Sequence, residues 1–278
     1  MAAAAAADAA EINERRDMIG VGYRRELADW IDSNPSEVGC LEIIAEHFFD
    51  GGEDRLRNLA ARFPLCIHGL GLSLGTPGPL DRETLDYFVR VAELADARWV
   101  SEHVAFTRTA EVDLGHLNPV RADAETIAVI ADHAREVAEA CNRPLLLENI
   151  TTDLRLPGSM PESEFLNRLC EAADCGLLLD VTNLYINAKN HGFDARQWLR
   201  EIDPGRIVQL HVVGYSVSNG RWRDLHAEQI QDDLWALIDD VLAYAPVQSV
   251  ILERDQNFPA PAEITGELRR LGGMLARH

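Results

Sequence analysis

Short apolar runs alternate with longer amphipathic stretches along most of the chain. From Met18 onward, runs rich in Val, Ile and Leu are followed by segments in which apolar side chains recur every three to four positions. The first pattern predicts strands buried on both faces, and the second predicts helices that cover them. The predicted strands are residues 18–23, 40–45, 65–68, 99–103, 145–148, 177–180, 207–213 and 249–253.

Helical periodicity is clearest in residues 82–95, 123–140, 162–173, 195–201 and 231–243. The strands recur about every 33 residues, the spacing expected of a (β/α)8 barrel of ~250 residues. We therefore predict an α/β fold in which residues 18–278 form a single TIM barrel, preceded by a disordered or frayed alanine-rich tail at residues 1–17. A doubly wound open sheet is the second candidate, although no G-x-G-x-x-G turn follows the first strand.

The charge balance argues against several classes of partner. The 278 residues include 26 Lys and Arg against 46 Asp and Glu, a formal net charge of −20 at pH 7. Such a chain repels phosphate backbones, and its cations are scattered singly, so we predict no nucleic-acid partner. No apolar run approaches the ~18 residues of a transmembrane helix, and no signal peptide is recognisable, so no membrane partner is predicted. The five cysteines form no C-x-x-C pair, which favours a reduced, cytoplasmic protein.

Most of the predicted strands lead into residues that can bind a metal ion. The active site of a (β/α)8 barrel lies at the carboxyl ends of its strands, so these residues are predicted to converge on one rim. They are His68, His103, Glu148, Asp180, His211, Asp224, His226 and Glu253. A single histidine after a strand is more often a core or surface residue than a ligand, but here the pattern repeats on six strands. Crowded carboxylates would repel one another and take up protons unless cations neutralised them, which indicates a metal centre.

The mixture of side chains narrows the choice of metal. Imidazoles together with carboxylates suit Fe, Mn, Zn or Co, whereas Ca and Mg prefer oxygen ligands alone. Eight groups exceed what one ion can use, so two or three ions with shared carboxylates are predicted. Asp224 and His226 stand two apart, and in an extended segment they would project from one side and hold the same ion. The glycine-rich residues 69–75, followed by Pro77 and Pro79, predict a loop that approaches this site.

Several sequence motifs together resemble one known family. They are His-Gly-Leu-Gly-Leu-Ser-Leu-Gly at 68–75, Ser-Glu-His-Val at 101–104, Leu-Leu-Glu-Asn-Ile at 146–150, Asp-Val-Thr-Asn-Leu-Tyr-Ile-Asn with Asn-His-Gly within 180–192, His-Val-Val-Gly at 211–214, Asp-Leu-His at 224–226 and Glu-Arg-Asp at 253–255. This set resembles the multinuclear non-heme iron-dependent oxidases, the DUF692 family, over nearly the whole chain beyond the tail. The barrel of that family is similar to those of xylose isomerases and endonuclease-IV-type enzymes, so the resemblance implies a xylose-isomerase-like barrel.

The resemblance implies an enzyme of peptide maturation. It implies two or three irons, active as an Fe(II)/Fe(III) pair, which use O2 to oxidise cysteine residues in a ribosomally synthesised precursor peptide. It also implies a small partner protein that binds the leader of that peptide. Carried over by motif, the ligands are the eight residues above, with Asn183 added three positions after Asp180. A histidine stands at that position in the endonuclease-like relatives, so Asn183 favours the oxidase.

Asp255 is the candidate catalytic residue outside the ligand set. It lies two residues after Glu253 and points the same way in a strand, so it could act as a base during the reaction. An ion pair with an arginine is an equally good interpretation of this aspartate. The second strand is followed by Glu46-His47 where the family has Glu-Asn, and Tyr215 stands where a histidine is common. These departures leave the subclass and the substrate open.

Three classes of function remain open for these residues. The first, which we favour, is an iron-dependent oxidase of peptides. The second is a metal-dependent hydrolase or isomerase, endonuclease-IV-like or sugar-isomerase-like, on the same ligand set. The net charge of −20 opposes the DNA-binding form of this alternative, and no lysine accompanies the predicted ligands as a sugar isomerase would need. The third is metal binding without catalysis, which would not require a glycine-rich loop beside a crowded metal rim.

Overall fold

The computed structural model describes residues 19–109 and 111–278, so the predicted tail at residues 1–17 lies outside the described residues. The described strands are β1 (Ile19–Gly22), β2 (Cys40–Ile44), β3 (Leu65–His68), β4 (Val100–His103), β5 (Ala105–Arg108), β6 (Asp113–Pro119), β7 (Leu145–Glu148), β8 (Gly176–Asp180), β9 (Ile207–Val212), β10 (Gly214–Ser218), β11 (Arg221–Glu228) and β12 (Ser249–Leu252). Eight of them are parallel and close into a barrel in the order β1-β12-β9-β8-β7-β4-β3-β2.

Helices surround the barrel and connect its strands. They are α1 (Ala28–Ser33), α2 (Glu53–Ala60), α3 (Arg82–Leu94), α4 (Ala124–Cys141), α5 (Glu162–Ala173), α6 (Val181–His191), α7 (Ala195–Glu201), α8 (Asp232–Tyr244) and α9 (Pro261–Leu275). Short 3-10 turns occupy Arg25–Leu27, Pro35–Glu37, Ala45–Phe48 and Pro204–Arg206. Aspartate side chains accept a backbone hydrogen bond at the start of α3, α4, α6 and α7, which explains where these helices begin.

Alternation along each strand separates the barrel interior from the surrounding core. In β7, Leu145 and Leu147 pack in the main core under the helices, whereas Leu146 belongs to a separate small cluster with Cys66, Trp99 and Leu178. Because successive side chains point to opposite faces, Leu146 and Glu148 share the inner face of the barrel. The same parity places the last residues of β3, β4 and β8 above this interior cluster. The strands therefore deliver their terminal polar side chains to one rim.

Two antiparallel hairpins stand on the carboxyl side of the barrel. One consists of β5 and β6 and follows β4, and the other consists of β10 and β11 and follows β9. Neither hairpin was predicted, because their strands are largely exposed and lack the apolar runs of the barrel strands. The helices α1, α2, α6 and α9 were also not among the predicted segments. Both hairpins rise beside the strand ends that carry the predicted ligands.

The closed barrel confirms the predicted fold class, and it excludes the open doubly wound sheet. Each predicted strand corresponds to one barrel strand, with small differences at the ends. All five cysteines are free thiols and buried. Among the described residues, none of the helices combines the length and the apolar character needed to cross a bilayer.

Candidate metal centre

The carboxyl ends of the barrel strands bring most of the predicted ligands together. His68, His103, Glu148 and Asp180 are the last residues of β3, β4, β7 and β8. His211 lies one residue before the end of β9, Glu253 follows β12 directly, and Asp224 and His226 belong to β11. The six residues on the barrel strands are all buried, and His211 has no exposed surface at all. Burial removes the water that would otherwise hydrate these charged groups. Their burial is therefore unfavourable unless opposite charges or hydrogen bonds replace the lost hydration.

The first group consists of His68, His103 and Glu148. The Nε2 atoms of the two histidines lie 3.3 and 3.5 Å from Oε2 of Glu148, and the centroids of the two imidazole rings are 4.6 Å apart. Behind the rings, Nδ1 of His68 lies 2.8 Å from Oγ of Ser101, and Nδ1 of His103 lies 3.1 Å from Oε1 of Glu102. These outer partners hold both Nε2 atoms towards one oxygen, an arrangement suited to a single metal ion.

Two carboxylates link this group to two others. Glu148 also forms a group with Asp180 and His211, and Asp180 forms a third group with His226 and Glu253; within each group the ligand atoms lie within 4.8 Å of one another. Oε1 of Glu148 lies 3.2 Å from Nδ1 of His211, whereas Oε2 faces the first group. Each oxygen of this carboxylate therefore faces a different position. Bridging carboxylates of this kind are the usual means of holding neighbouring ions.

Three buried oxygen atoms of the centre accept no hydrogen bond from the described residues. They are Oε2 of Glu148, Oδ2 of Asp180 and Oδ1 of Asn183. The other oxygen of Asp180 accepts a hydrogen bond from the backbone amide of Asn183 at 2.6 Å, and Nδ2 of Asn183 donates to the carbonyl of Asn149 at 3.1 Å. A buried acceptor without a donor is costly, and a metal ion would satisfy all three atoms. The residues present therefore fit a metal centre.

Asp224 and His226 lie in the strand β11, so the segment is extended rather than helical, but a bulge interrupts the strand at these residues. Between two paired positions of the hairpin, β10 has one residue, Tyr215, where β11 has residues 224–227. His226 adopts a left-handed backbone conformation with φ of +48°. The additional residues leave the ladder and bend the strand. The two side chains nevertheless meet, with Nε2 of His226 2.8 Å from Oδ2 of Asp224.

Asp255 lies between an imidazole and a guanidinium. Its Oδ2 atom is 2.8 Å from Nδ1 of His226, and its Oδ1 atom accepts a hydrogen bond from Nε of Arg24 at 2.6 Å. Burial disfavours the ionised carboxylate, but the hydrogen bond from His226 and the charge of Arg24 bring the pKa of Asp255 below its usual value. The ion pair that the sequence left open is therefore present. It does not exclude a role as a base, because the carboxylate stays ionised at neutral pH.

The pKa values of the two histidines in the first group are shifted in opposite directions. Burial, together with the nearby His103 and His211, holds the pKa of His68 well below its ordinary value. Burial also opposes protonation of His103, but the carboxylates of Glu148 and Glu102 raise its pKa to about 9. Protons thus balance part of the negative charge of the centre. A metal ion bound to these nitrogens would replace those protons.

The third group shows the same imbalance of charge. Burial raises the pKa of Asp180 well above its usual value, and repulsion from Asp224 adds to the effect. Burial opposes protonation of His226, but Glu253 and Asp224 raise its pKa to about 12. Burial would likewise raise the pKa of Glu253, yet His211 and His226 hold it well below the usual range. Carboxylates this close together stay ionised only where positive charge is supplied.

Glu42 is a residue of the centre that the sequence analysis missed. Its Oε1 atom lies 2.8 Å from Nε2 of His211, and it forms a further group of possible ligands with His211 and Glu253. The available signal was an acidic residue in the middle of the predicted strand 40–45, which the strand buries almost completely. A buried carboxylate in an apolar run needs a partner, and here that partner is a histidine on the opposite side of the barrel.

The glycine-rich loop approaches the centre as predicted, and two carboxylates fix it. Oε1 of Glu46 accepts hydrogen bonds from the backbone amides of Leu70 and Gly71, both at 2.8 Å. Oε2 of Glu102 accepts from the amide of Leu72 at 2.9 Å. Burial and the charge of Glu102 raise the pKa of Glu46 to about 7. The loop is therefore joined to the residue that also supports His103.

The surface around the centre is concave and partly apolar. A cavity of about 650 Å³ lies between the loop after β7, α5 and α7. Asn149, the residue after Glu148, forms part of its wall, but none of the candidate ligands does. Among the described residues, the exposed large apolar side chains other than Tyr87 lie on the loops and hairpins that follow barrel strands. They are Leu70, Val112, Leu154, Leu156, Val217 and Leu225, which we name the apolar rim.

A (β/α)8 barrel with its polar cluster at the carboxyl rim is the architecture of an enzyme, and the histidines and carboxylates clustered there could hold metal ions. Comparison with protein families places the chain more closely. Residues 18–276 match the family model described as RiPP precursor modification enzyme MbnB/TglH/ChrH, where RiPP denotes a ribosomally synthesised and post-translationally modified peptide. The chain belongs to this family.

Curated relatives and solved structures agree with that assignment at different levels. A UPF0276 protein from Rhizorhabdus wittichii is 32% identical over 268 residues, covering 95% of this chain and 96% of the relative. A UPF0276 protein from Shewanella oneidensis is 34% identical over 272 residues, with 95% and 96% coverage. Endonuclease IV from Thermus thermophilus is 18% identical with a TM-score of 0.60, over 94% of this chain and 100% of that one. D-Psicose 3-epimerase from Clostridium cellulolyticum is 11% identical with the same TM-score of 0.60, over 94% and 96%. The two structures show a shared fold alone.

Proposed function

We propose that the protein is an O2-dependent multinuclear iron oxidase that modifies cysteine residues of a ribosomally synthesised precursor peptide. The observation that carries this proposal is the linkage of three ligand groups through Glu148 and Asp180. Shared carboxylates favour two or three neighbouring ions, and the mixture of imidazole and carboxylate suits iron. Membership of a family of RiPP precursor modification enzymes supports a peptide as the substrate.

In this proposal the ligands come from the rim and from the bulge of β11. They are His68, His103, Glu148, Asp180, Asn183, His211, Asp224, His226 and Glu253. When bound, iron supplies the redox chemistry with O2 and a cationic position for a substrate thiolate. The protein contributes the orientation of the rings: Ser101 and Glu102 hold the imidazoles of His68 and His103 from behind.

Asp255 is the proposed base. It is ionised at neutral pH, and Arg24 and His226 fix its two oxygens on the side of the centre that holds Glu253. A carboxylate fixed at both oxygens can accept a proton from a bound cysteine without first reorganising its surroundings.

The peptide and its partner have a suitable surface beside the centre. The cavity next to Asn149 offers space for residues that flank the cysteine. The apolar rim provides contact area for a small protein that binds the leader. A net charge of −20 would favour basic segments in either molecule, and this attraction should weaken as salt increases.

The alternative is a metal-dependent hydrolase or isomerase, and the fold shared with endonuclease IV and sugar epimerases favours it. The acidic surface opposes an extended contact with a nucleic acid. The single lysine of the chain, Lys189, has its Nζ atom over the ring of Tyr185, 4.9 Å from the centroid, where a cation–π contact engages it. Metal content separates the two functions most directly.

The test is metal analysis with Mössbauer spectroscopy on protein purified without oxygen, followed by reaction with a cysteine-containing precursor peptide and O2. We expect at least two irons per chain, a change in peptide mass that requires O2, and no reaction of the matched Cys→Ser peptide. The His103→Ala variant serves as the inactive control. Zinc as the native metal, or conversion of the Cys→Ser peptide at the same rate, would contradict the proposal.

A further inference from the structure

His211 has carboxylates on both sides of its ring. Nδ1 lies 3.2 Å from Glu148 and 3.3 Å from Glu253, whereas Nε2 lies 2.8 and 2.9 Å from the two oxygens of Glu42. A neutral imidazole binds a metal through one nitrogen and donates a hydrogen bond from the other. Nδ1 faces carboxylates that belong to the linked groups, and Nε2 faces the middle of β2 across the barrel interior. Nε2 also lies 3.2 Å from Nε2 of Gln209, but that amide group donates to Glu42 at the shorter distance of 2.5 Å. The nearest acceptor of Nε2 is therefore Glu42, and the ring is arranged to bind through Nδ1 and to donate from Nε2 to this carboxylate.

The orientation of Glu42 is fixed from the barrel interior. Nε1 of Trp99 donates to Oε1 of Gln209 at 2.6 Å, and Nε2 of Gln209 donates to Oε2 of Glu42 at 2.5 Å. An indole nitrogen can only donate, so the amide of Gln209 must turn its NH2 group towards the carboxylate. Both oxygens of Glu42 are thus engaged as acceptors. These hydrogen bonds favour a position behind His211 for Glu42 over that of a further ligand, although its oxygens lie within reach of the group with His211 and Glu253.

Carboxylates stand behind two other histidines of the centre, but their charges are better offset. Glu102, behind His103, also accepts two backbone amides, at 2.7 and 2.9 Å. Asp255, behind His226, accepts the hydrogen bond from the guanidinium of Arg24. Backbone amides and a guanidinium draw negative charge away from the imidazole.

The negative charge of Glu42 is offset less by its hydrogen-bond donors than the charge of Glu102 or Asp255 is. Its donors among the described residues are the neutral amide of Gln209 and the ring of His211 itself. It is also 1% exposed, so water does not screen its charge. The negative charge of Glu42 therefore acts chiefly on His211. An ion bound to that histidine is stabilised more strongly when it carries a higher positive charge.

We propose that Glu42 is a positioning residue that directs His211 to bind iron through Nδ1 and makes that position the one that holds Fe(III). The inference rests on the proposed function, because it requires iron at the centre. Beyond the proposed function, the inference states that the iron position at His211 has the lowest reduction potential of the centre and that the buried side chain of Glu42 lowers it. The couple concerned is the one-electron Fe(III)/Fe(II) equilibrium at the His211 position.

The experiment is a potentiometric titration with redox mediators, followed by EPR and Mössbauer spectroscopy, on the iron-loaded protein. In Glu42→Gln we expect full iron content and a shift of the Fe(III)/Fe(II) equilibrium of the ferric position at least tenfold towards Fe(II), which is 59 mV upward for one electron. The matched control is Glu102→Gln, which removes one charge behind His103 and should shift the ferric position less than threefold.

Gln209→Leu gives a second test with the opposite sign. It removes the donor to Glu42 and leaves the carboxylate in place, so the ferric position should move towards Fe(III) and its potential should fall. Equal potentials in the wild type, Glu42→Gln and Gln209→Leu would overturn the inference. Loss of an iron in Glu42→Gln would also overturn it, since Glu42 would then be a ligand.

The two proposals fail in distinguishable ways. A wild-type protein that binds no iron would refute the proposed function. A wild-type protein with a mixed-valent pair whose potentials do not respond to Glu42→Gln would refute the role of Glu42 and leave the proposed function intact.

Discussion

At the scale of single residues, Glu148 contacts two ligand groups, because each of its oxygens faces a different one. His103 and His226 each belong to one group. A change at Glu148 should therefore affect two metal positions, whereas a change at either histidine should affect one. This difference can be measured as metal stoichiometry without any knowledge of the substrate.

We predict that Glu148→Ala loses more iron per chain than His103→Ala, with affinity reduced roughly 100-fold or more at the affected positions. The apo form should remain folded, because the substitution removes a charge from a crowded, repulsive cluster. Metal analysis and circular dichroism are the measurements, with the half-buried Glu164→Ala on the outer helix α5 as control. Equal iron loss in both variants would show that Glu148 does not bridge.

At the scale of elements, the bulge of β11 determines which part of the centre the hairpin completes. His226 belongs to the third group, Asp224 contacts His226, and both lie on the hairpin outside the barrel. Their loss should therefore not disturb the first group. We predict that Asp224→Ala and His226→Ala each lower the iron content by a fraction and abolish turnover. A variant with unchanged iron content and unchanged turnover would place the hairpin outside the centre.

The glycine-rich loop should give stability a specific pH dependence through Glu46. Because its pKa is raised to about 7 in the folded protein from 4.5, its protonated form favours folding. Its contribution is present below about pH 4.5 and is lost as the pH rises through about 7. Glu46→Gln keeps an acceptor for Leu70 and Gly71 but does not titrate.

We therefore predict that the stability of Glu46→Gln relative to the wild type increases from pH 4.5 to pH 8. Urea unfolding of the metal-free proteins across this range is the measurement, and Glu164→Gln controls for the change in net charge. A difference between variant and wild type that does not vary with pH would mean that Glu46 keeps its ordinary pKa.

Some elements of the fold could be predicted from the sequence and others could not. The barrel strands were predictable because burial on both faces imposes continuous apolar runs, and four of the strands end at a polar residue on the inner face. The hairpins were not, since strands such as Asp113–Pro119 are stabilised by pairing rather than by burial. Glu42 could not be distinguished from a structural acid, because its partner His211 lies far away in sequence. The bulge at His226 depends on hairpin register, which two-residue spacing does not reveal.

At the scale of the whole molecule, the centre couples metal content to stability. It gathers buried carboxylates that lack sufficient counter-charge, so bound ions should stabilise the folded state by mass action. We predict that removing metal by a chelator lowers the melting temperature, by roughly 10 °C if metal had been present at about 1,000 times its dissociation constant. Calorimetry with and without added Fe(II) under anaerobic conditions checks this. A melting temperature independent of metal would argue against a centre at the rim.

Asp180 closes β8, caps α6 and turns one oxygen towards the centre. The same carboxylate therefore caps the first turn of a helix with one oxygen and offers the other oxygen to a metal ion. An ion bound to Oδ2 would restrain Asp180 and with it the amide of Asn183, which donates to Oδ1. Deuterium should then replace the amide protons at the start of α6 more slowly once metal is bound. The beginning of one helix would thus report the state of the centre in a protein whose substrate has not been added.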